Sequence, residues 1–148
     1  WDEDLGLFLA ADIDCRQPDI WGNAYAVAIG VATERQSASI TDYLVNHSDE
    51  FERYGQIRHL PVSEGYWDKL WKPMEEETFQ NGAYWALPLA WVIPVFADSD
   101  PELAGNILRR AISDFKERGM HECVNTGYGK VPKFVVSASV VYGLTRKP

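Results

Sequence analysis

Phe79-Gln80-Asn81-Gly82-Ala83-Tyr84-Trp85-Ala86-Leu87-Pro88-Leu89-Ala90-Trp91 sets an amide pair, a glycine and two aromatics before a run of almost unbroken apolar residues. Continued to Ala97, it predicts a buried helix over Asn81–Ala97, kinked where Pro88 and Pro94 each remove a backbone donor. Planar amides bond vicinal hydroxyls, and Tyr and Trp rings offer flat apolar faces to the C–H side of a pyranose. The stretch therefore predicts both a helix and a sugar-facing mouth.

Working outward, the same grammar appears on both sides. Pro18 to Ala32 is apolar nearly all round, as expected of a helix buried on most sides. Arg35 to Asn46 is amphipathic, with Ile40, Tyr43 and Leu44 at i, i+3 and i+4. A further turn over Asp49–Tyr54 is expected to end at Gly55, followed by extended chain to Pro61. Val62 to Thr78 predicts a long aromatic loop. Asp100 as N-cap, Pro101 at the first helical position and Gly119 beyond the end frame an amphipathic helix over Glu102–Arg118. After a loop over Met120–Val131, Pro132 to Leu144 predicts a third apolar helix, although its β-branched residues also suit a strand.

Asn23-Ala24-Tyr25-Ala26 echoes Gly82-Ala83-Tyr84-Trp85-Ala86, which suggests a repeated hairpin of one buried and one amphipathic helix. The expectation is an all-α chain, with helical hairpins building about half of an (α/α)6 toroid. Its polar and aromatic motifs then gather at the N-termini of the inner helices.

The 148 residues, 46% of them hydrophobic, suffice for one domain burying roughly two-thirds of its unfolded surface. A net charge of −8 argues against nucleic acid or an anionic membrane as partner. No run of eighteen apolar residues predicts a membrane span. The three histidines, His47, His59 and His121, and the two cysteines, Cys15 and Cys123, show no metal-ligand spacing, so no metal and no cofactor is expected. A Cys15–Cys123 disulfide is left open by the sequence. Six Trp and seven Tyr exceed what a core of this size needs and suit stacking surfaces.

Five motifs, in order, resemble the C-terminal half of six-hairpin toroid glycoside hydrolases of the α-L-rhamnosidase-like, trehalase-like and glucosidase-like group. They are Pro18–Tyr25, Gly55–Pro61, Gly65–Asp68, Gln80–Trp85 and His121–Asn125. The resemblance spans nearly the whole chain, residues 1–148, as one portion of a larger catalytic domain. It implies a glycoside or oligosaccharide substrate, inversion by two carboxyls, and a general acid in a missing N-terminal half or another copy of the chain. It also implies a periplasmic or extracellular setting. Glu122 is the implied general base, because Glu122-Cys123-Val124-Asn125 resembles a Glu-x-x-Asp motif with Asn125 in the acidic position. Asp68 is the second candidate, Trp67-Asp68 resembling a Trp-Glu motif with a shorter acid.

The substrate-binding candidates are Asp19, Trp21, Trp67, Gln80, Asn81, Tyr84, Trp85, His121 and Asn125. Asp19 also suits an N-cap, and Arg58 with His59 suits orienting a carboxylate. Other readings of the same residues are a non-catalytic carbohydrate-binding module, a sugar epimerase or unsaturated-uronyl hydrolase on the same scaffold, and a helical-repeat interaction protein. The epimerase requires catalytic histidines at helix termini, with only His59 and His121 to supply them. The interaction protein predicts a concave face poor in aromatics.

Overall fold

A computed structural model describes residues 1–146. Among the described residues there are five α-helices: α1 (Ile20–Ala28), α2 (Glu34–Asn46), α3 (Leu89–Ser99), α4 (Pro101–Arg118) and α5 (Val135–Thr145). Five short strands accompany them: β1 (Glu52–Arg53), β2 (Gln56–Ile57), β3 (Tyr84–Trp85), β4 (His121–Asn125) and β5 (Tyr128–Pro132). The strands form one antiparallel sheet in sequence order. The chain is therefore mixed, and the all-α class with its half-toroid of helical hairpins is corrected.

The opening stretch holds the reason. Gly82 has φ +116, and the chain turns there before Tyr84 and Trp85 extend and pair with Val124 and Cys123. The helix then begins at Leu89, immediately after Pro88. A proline needs no intrahelical donor at a helix start, so Pro88 ends the strand connection instead of kinking a longer helix. Pro94 does lie inside α3. The carbonyl it leaves without a partner belongs to Ala90, an exposed residue. Strands β4 and β5 replace the loop expected over Met120–Val131 and form a hairpin through Thr126 and Gly127, and β1 takes the later part of the helical turn expected over Asp49–Tyr54.

Local signals place the helices. Thr33 and Gln36 form a reciprocal capping box on α2. Asp100 accepts from the backbone N–H of Leu103, and Pro101 opens α4. The third apolar helix starts at Val135, because Val131 and Lys133 hold positive φ of 47° and 63° and break any earlier helix.

Helix α3 is the centre of the packing. It contacts α1, α4, α2 and α5, and its Leu89, Val92, Ile93, Val95 and Phe96 are buried. They join Leu7, Ile20, Ile40, Leu44, Phe51, Ile57 and Ile107 in the main core. A smaller cluster of Ala83, Trp85 and Cys123, flanked by Trp21, Phe79 and Tyr128, links the sheet to the start of α1. Cys15 and Cys123 are both buried free thiols, so the disulfide left open by the sequence is not formed.

Burial pushes the Cys123 thiol up to about 12, and burial likewise raises the hydroxyls of Tyr43, Tyr84 and Tyr128. An acid that keeps its proton in the folded chain loses it first in the unfolded chain, so unfolded molecules bind fewer protons above the ordinary thiol value. Stability is expected to fall as pH rises from about 9 towards 12. Thermal melts at pH 8, 9.5 and 11 check this, and a melting point flat across that window contradicts it.

Candidate functional site

The N-terminus of α1 is where the polar and aromatic side chains meet. Asp19 precedes the helix in extended conformation and its carboxylate accepts from the Trp21 backbone N–H at 3.1 Å. The same carboxylate oxygen lies 3.3 Å from His59 Nδ1, and the His59 carbonyl accepts from Ile20 N–H at 2.8 Å. Beneath this pair the Trp21 indole stacks on the His59 ring, with centroids 3.6 Å apart and 21° between planes. His59 Nε2 is shut from solvent and has no hydrogen-bond partner within the protein.

Over this base lies a hollow of about 280 Å³, lined by Ala10, Cys15, Asp19, His59, Trp67, Lys69, Leu70, Trp71 and Gln80. Trp67 crosses the His59 ring edge-on at 5.8 Å and donates from Nε1 to the Gln80 carbonyl at 2.9 Å. Trp71 is 74% exposed, an unusual position for so large an apolar ring. Lys69 is paired to Asp14, which holds that carboxyl below its ordinary value.

The loop carrying Trp67 and Trp71 is pinned from below. Gln17, itself buried, donates to the carbonyls of Glu64 and Tyr66 and accepts from the Asp68 N–H at 2.7 Å. Arg58, 4% exposed, donates to the Gly65 carbonyl at 2.6 Å, while its Nε has no partner. Asn81 accepts from Trp67 N–H and donates to the Met74 carbonyl, each at 3.2 Å. These bonds hold Trp67 in place without help from any ligand.

The candidates thus divide. Asp19, Trp67 and Gln80 line the hollow, with Trp21 directly under it. Asn81, Tyr84, Trp85 and Asn125 are buried. Asn125 donates to the carbonyls of Glu77 and Gly82 and accepts from Thr126 N–H, and Trp85 donates to the Phe79 carbonyl at 3.1 Å. The side-chain polar groups of Asn81, Trp85 and Asn125 are thus engaged by the protein, so these residues support the site from within. His121 is half-buried with its ring against Gly129 and its Nδ1 3.2 Å from the Gly119 carbonyl.

Neither carboxylate candidate lines the hollow. Asp68 is exposed beside Trp67. Glu122 is half-buried on β4, close enough to Cys123 and Tyr128 for its charge to help raise both. The Phe79–Gln80 step lies between the two regions. Gln80 borders the hollow, whereas the Phe79 N–H bonds Tyr128 Oη at 3.3 Å.

The hollow also holds Cys15, Lys69 and Trp71, which the sequence reading passed over. Lys69-Leu70-Trp71-Lys72, a tryptophan between lysines in a polar loop, is a legible signal of an exposed ring. Nothing around Cys15 marks it. Among the described residues, no group of three or more His, Cys, Asp or Glu side chains stands close enough to hold a metal ion, and no helix is long and apolar enough to cross a membrane. Comparison with protein-family models, with curated proteins and with solved structures gives no match to this chain.

Proposed function

We propose that the chain belongs to a glycoside hydrolase and holds one sugar ring in the hollow above His59. The observation that carries this reading is the pairing of exposed Trp71 and half-buried Trp67 with a polar floor of Asp19, His59 and Gln80. Indole faces receive the apolar side of a pyranose, while the Asp19 carboxylate and the Gln80 amide bond its hydroxyls. The acidic balance of the chain suits a neutral ligand.

In this proposal Glu122 is the general base that takes a proton from the attacking water, and it stands on a hydrogen-bonded strand that fixes its position. Asp68 is the alternative base. The general acid comes from a carboxyl outside this chain, in the remainder of a parent protein or in another copy.

The test is hydrolysis of a panel of nitrophenyl glycosides by the full-length parent, with Glu122→Gln and Asp68→Asn beside it. Glu122→Gln is expected to lower turnover by about a hundredfold or more while sugar binding and melting temperature stay unchanged. If Asp68→Asn alone has that effect, the base is Asp68. Sugar binding with no turnover of any glycoside points instead to a non-catalytic carbohydrate-binding module, and unaltered turnover in both variants removes both assignments.

A further inference from the structure

A second concave surface lies next to the hollow. Trp21 and Tyr25, one turn apart on α1, and Trp91 of α3 surround a cup of about 370 Å³ with Gly22 in its wall. Tyr25 meets Trp91 edge to face at 5.4 Å and is 48% exposed. The indole N–H groups of Trp21 and Trp91 are shut from solvent and without a protein acceptor, so the cup offers ring surface and not these donors. Between cup and hollow is a smaller depression of about 240 Å³, which shares Ala10 and Asp19 with the hollow and Gly22 with the cup. The three depressions thus border one another along α1. A Cβ at Gly22 would sit 2.9 Å from Asp19 Oδ2, so glycine here makes room for the capping carboxylate that the hollow and the depression share.

We infer that this track binds an oligosaccharide of at least two rings, the first in the hollow and a later one stacked on Tyr25 and Trp91. This rests on the sugar-binding reading above and names its substrate class. The cup is aromatic and carries no charged side chain, so it suits the apolar face of a neutral sugar, not an ionic ligand. Its continuity with the hollow selects an extension of the same ligand over an unrelated partner.

Calorimetric titration of the full chain with glucose, mannose and rhamnose, and with α-1,4- and β-1,4-linked oligomers of glucose and mannose of two to five rings, tests the inference. Affinity is expected to rise at least about tenfold from one ring to the longer members of one series. Tyr25→Ala and Trp91→Phe are expected to weaken the longest oligomer by about three- to tenfold and leave the single ring unchanged. Trp67→Ala weakens both. Equal affinity for one ring and for many, or an oligomer indifferent to Tyr25→Ala, overturns the track while the hollow's reading stands. A change of oligomeric state in Tyr25→Ala without loss of affinity overturns it too. If no sugar of any length binds, the sugar-binding reading itself fails and the track with it.

Discussion

Gly55→Ala is expected to cost more than about 4 kcal/mol, enough to lower the melting point by more than about 10 °C. Tyr54 and Gly55, with φ of 63° and 71°, form the two-residue turn that joins β1 to β2. Positive φ alone makes a Cβ unfavourable here, by about 1–2 kcal/mol. The larger part is steric. A Cβ at Gly55 would lie 2.0 Å from the Ala111 backbone nitrogen and 2.5 Å from the Ile107 carbonyl oxygen on α4. Neither is a side chain that can swing away, so the hairpin must lift from the helix. Lifting it breaks the bond from Gln56 Nε2 to Asp114 Oδ2, 2.9 Å long and buried. Gly127→Ala is the control. It has φ 70° in the β4–β5 turn but nothing within 4 Å of its Cβ, so it is expected to show the conformational cost alone. Equal melting points for the two variants would falsify the steric account.

Asn23→Ala is expected to cost about 3 kcal/mol. Asn23 is fully buried in α1 and clasps the N-terminal segment, accepting from the Phe8 N–H at 2.8 Å and donating to the Phe8 carbonyl at 2.7 Å. It also donates to the Asp19 carbonyl at 2.9 Å. Alanine leaves these backbone groups without their partner, and a buried group so left loses more than the bond itself contributed. Asn23→Asp keeps the shape but turns an oxygen towards two carbonyls. It is expected to be no more stable than Asn23→Ala at pH 7 and to recover part of the loss below about pH 4, where the carboxyl is protonated. Chemical denaturation at both pH values measures this, and an Asn23→Asp protein as stable as the parent at pH 7 contradicts it.

The helices were legible because their signals are local. Thr33 with Gln36, and Asp100 with Pro101, mark starts that need only three or four residues to recognise. The sheet was not, because a strand as short as Tyr84–Trp85 has no room for alternation, and both residues are buried. Its pairing with residues 123 and 124 is a tertiary fact. The β4 strand has the same difficulty, since Cys123, Val124 and Asn125 are buried in succession. At the candidate site, residue type pointed to Asp19, Trp67 and Gln80. Type alone did not separate them from Asn81 and Asn125, whose amides are engaged by backbone groups from distant turns.

The succession of strands also bears on the order of events in time. Ile57 must find Trp85, and Trp85 must find Cys123, across stretches that contain the long aromatic loop in one case and α3 with α4 in the other. Closing such spans is entropically costly and slow, whereas the β1–β2 and β4–β5 hairpins close locally. The helices and the two hairpins are therefore expected to mature early and the β3 seam late. Because Trp67 donates to the carbonyl of Gln80, just before that seam, the hollow is expected to be among the last parts of the protein to acquire its shape.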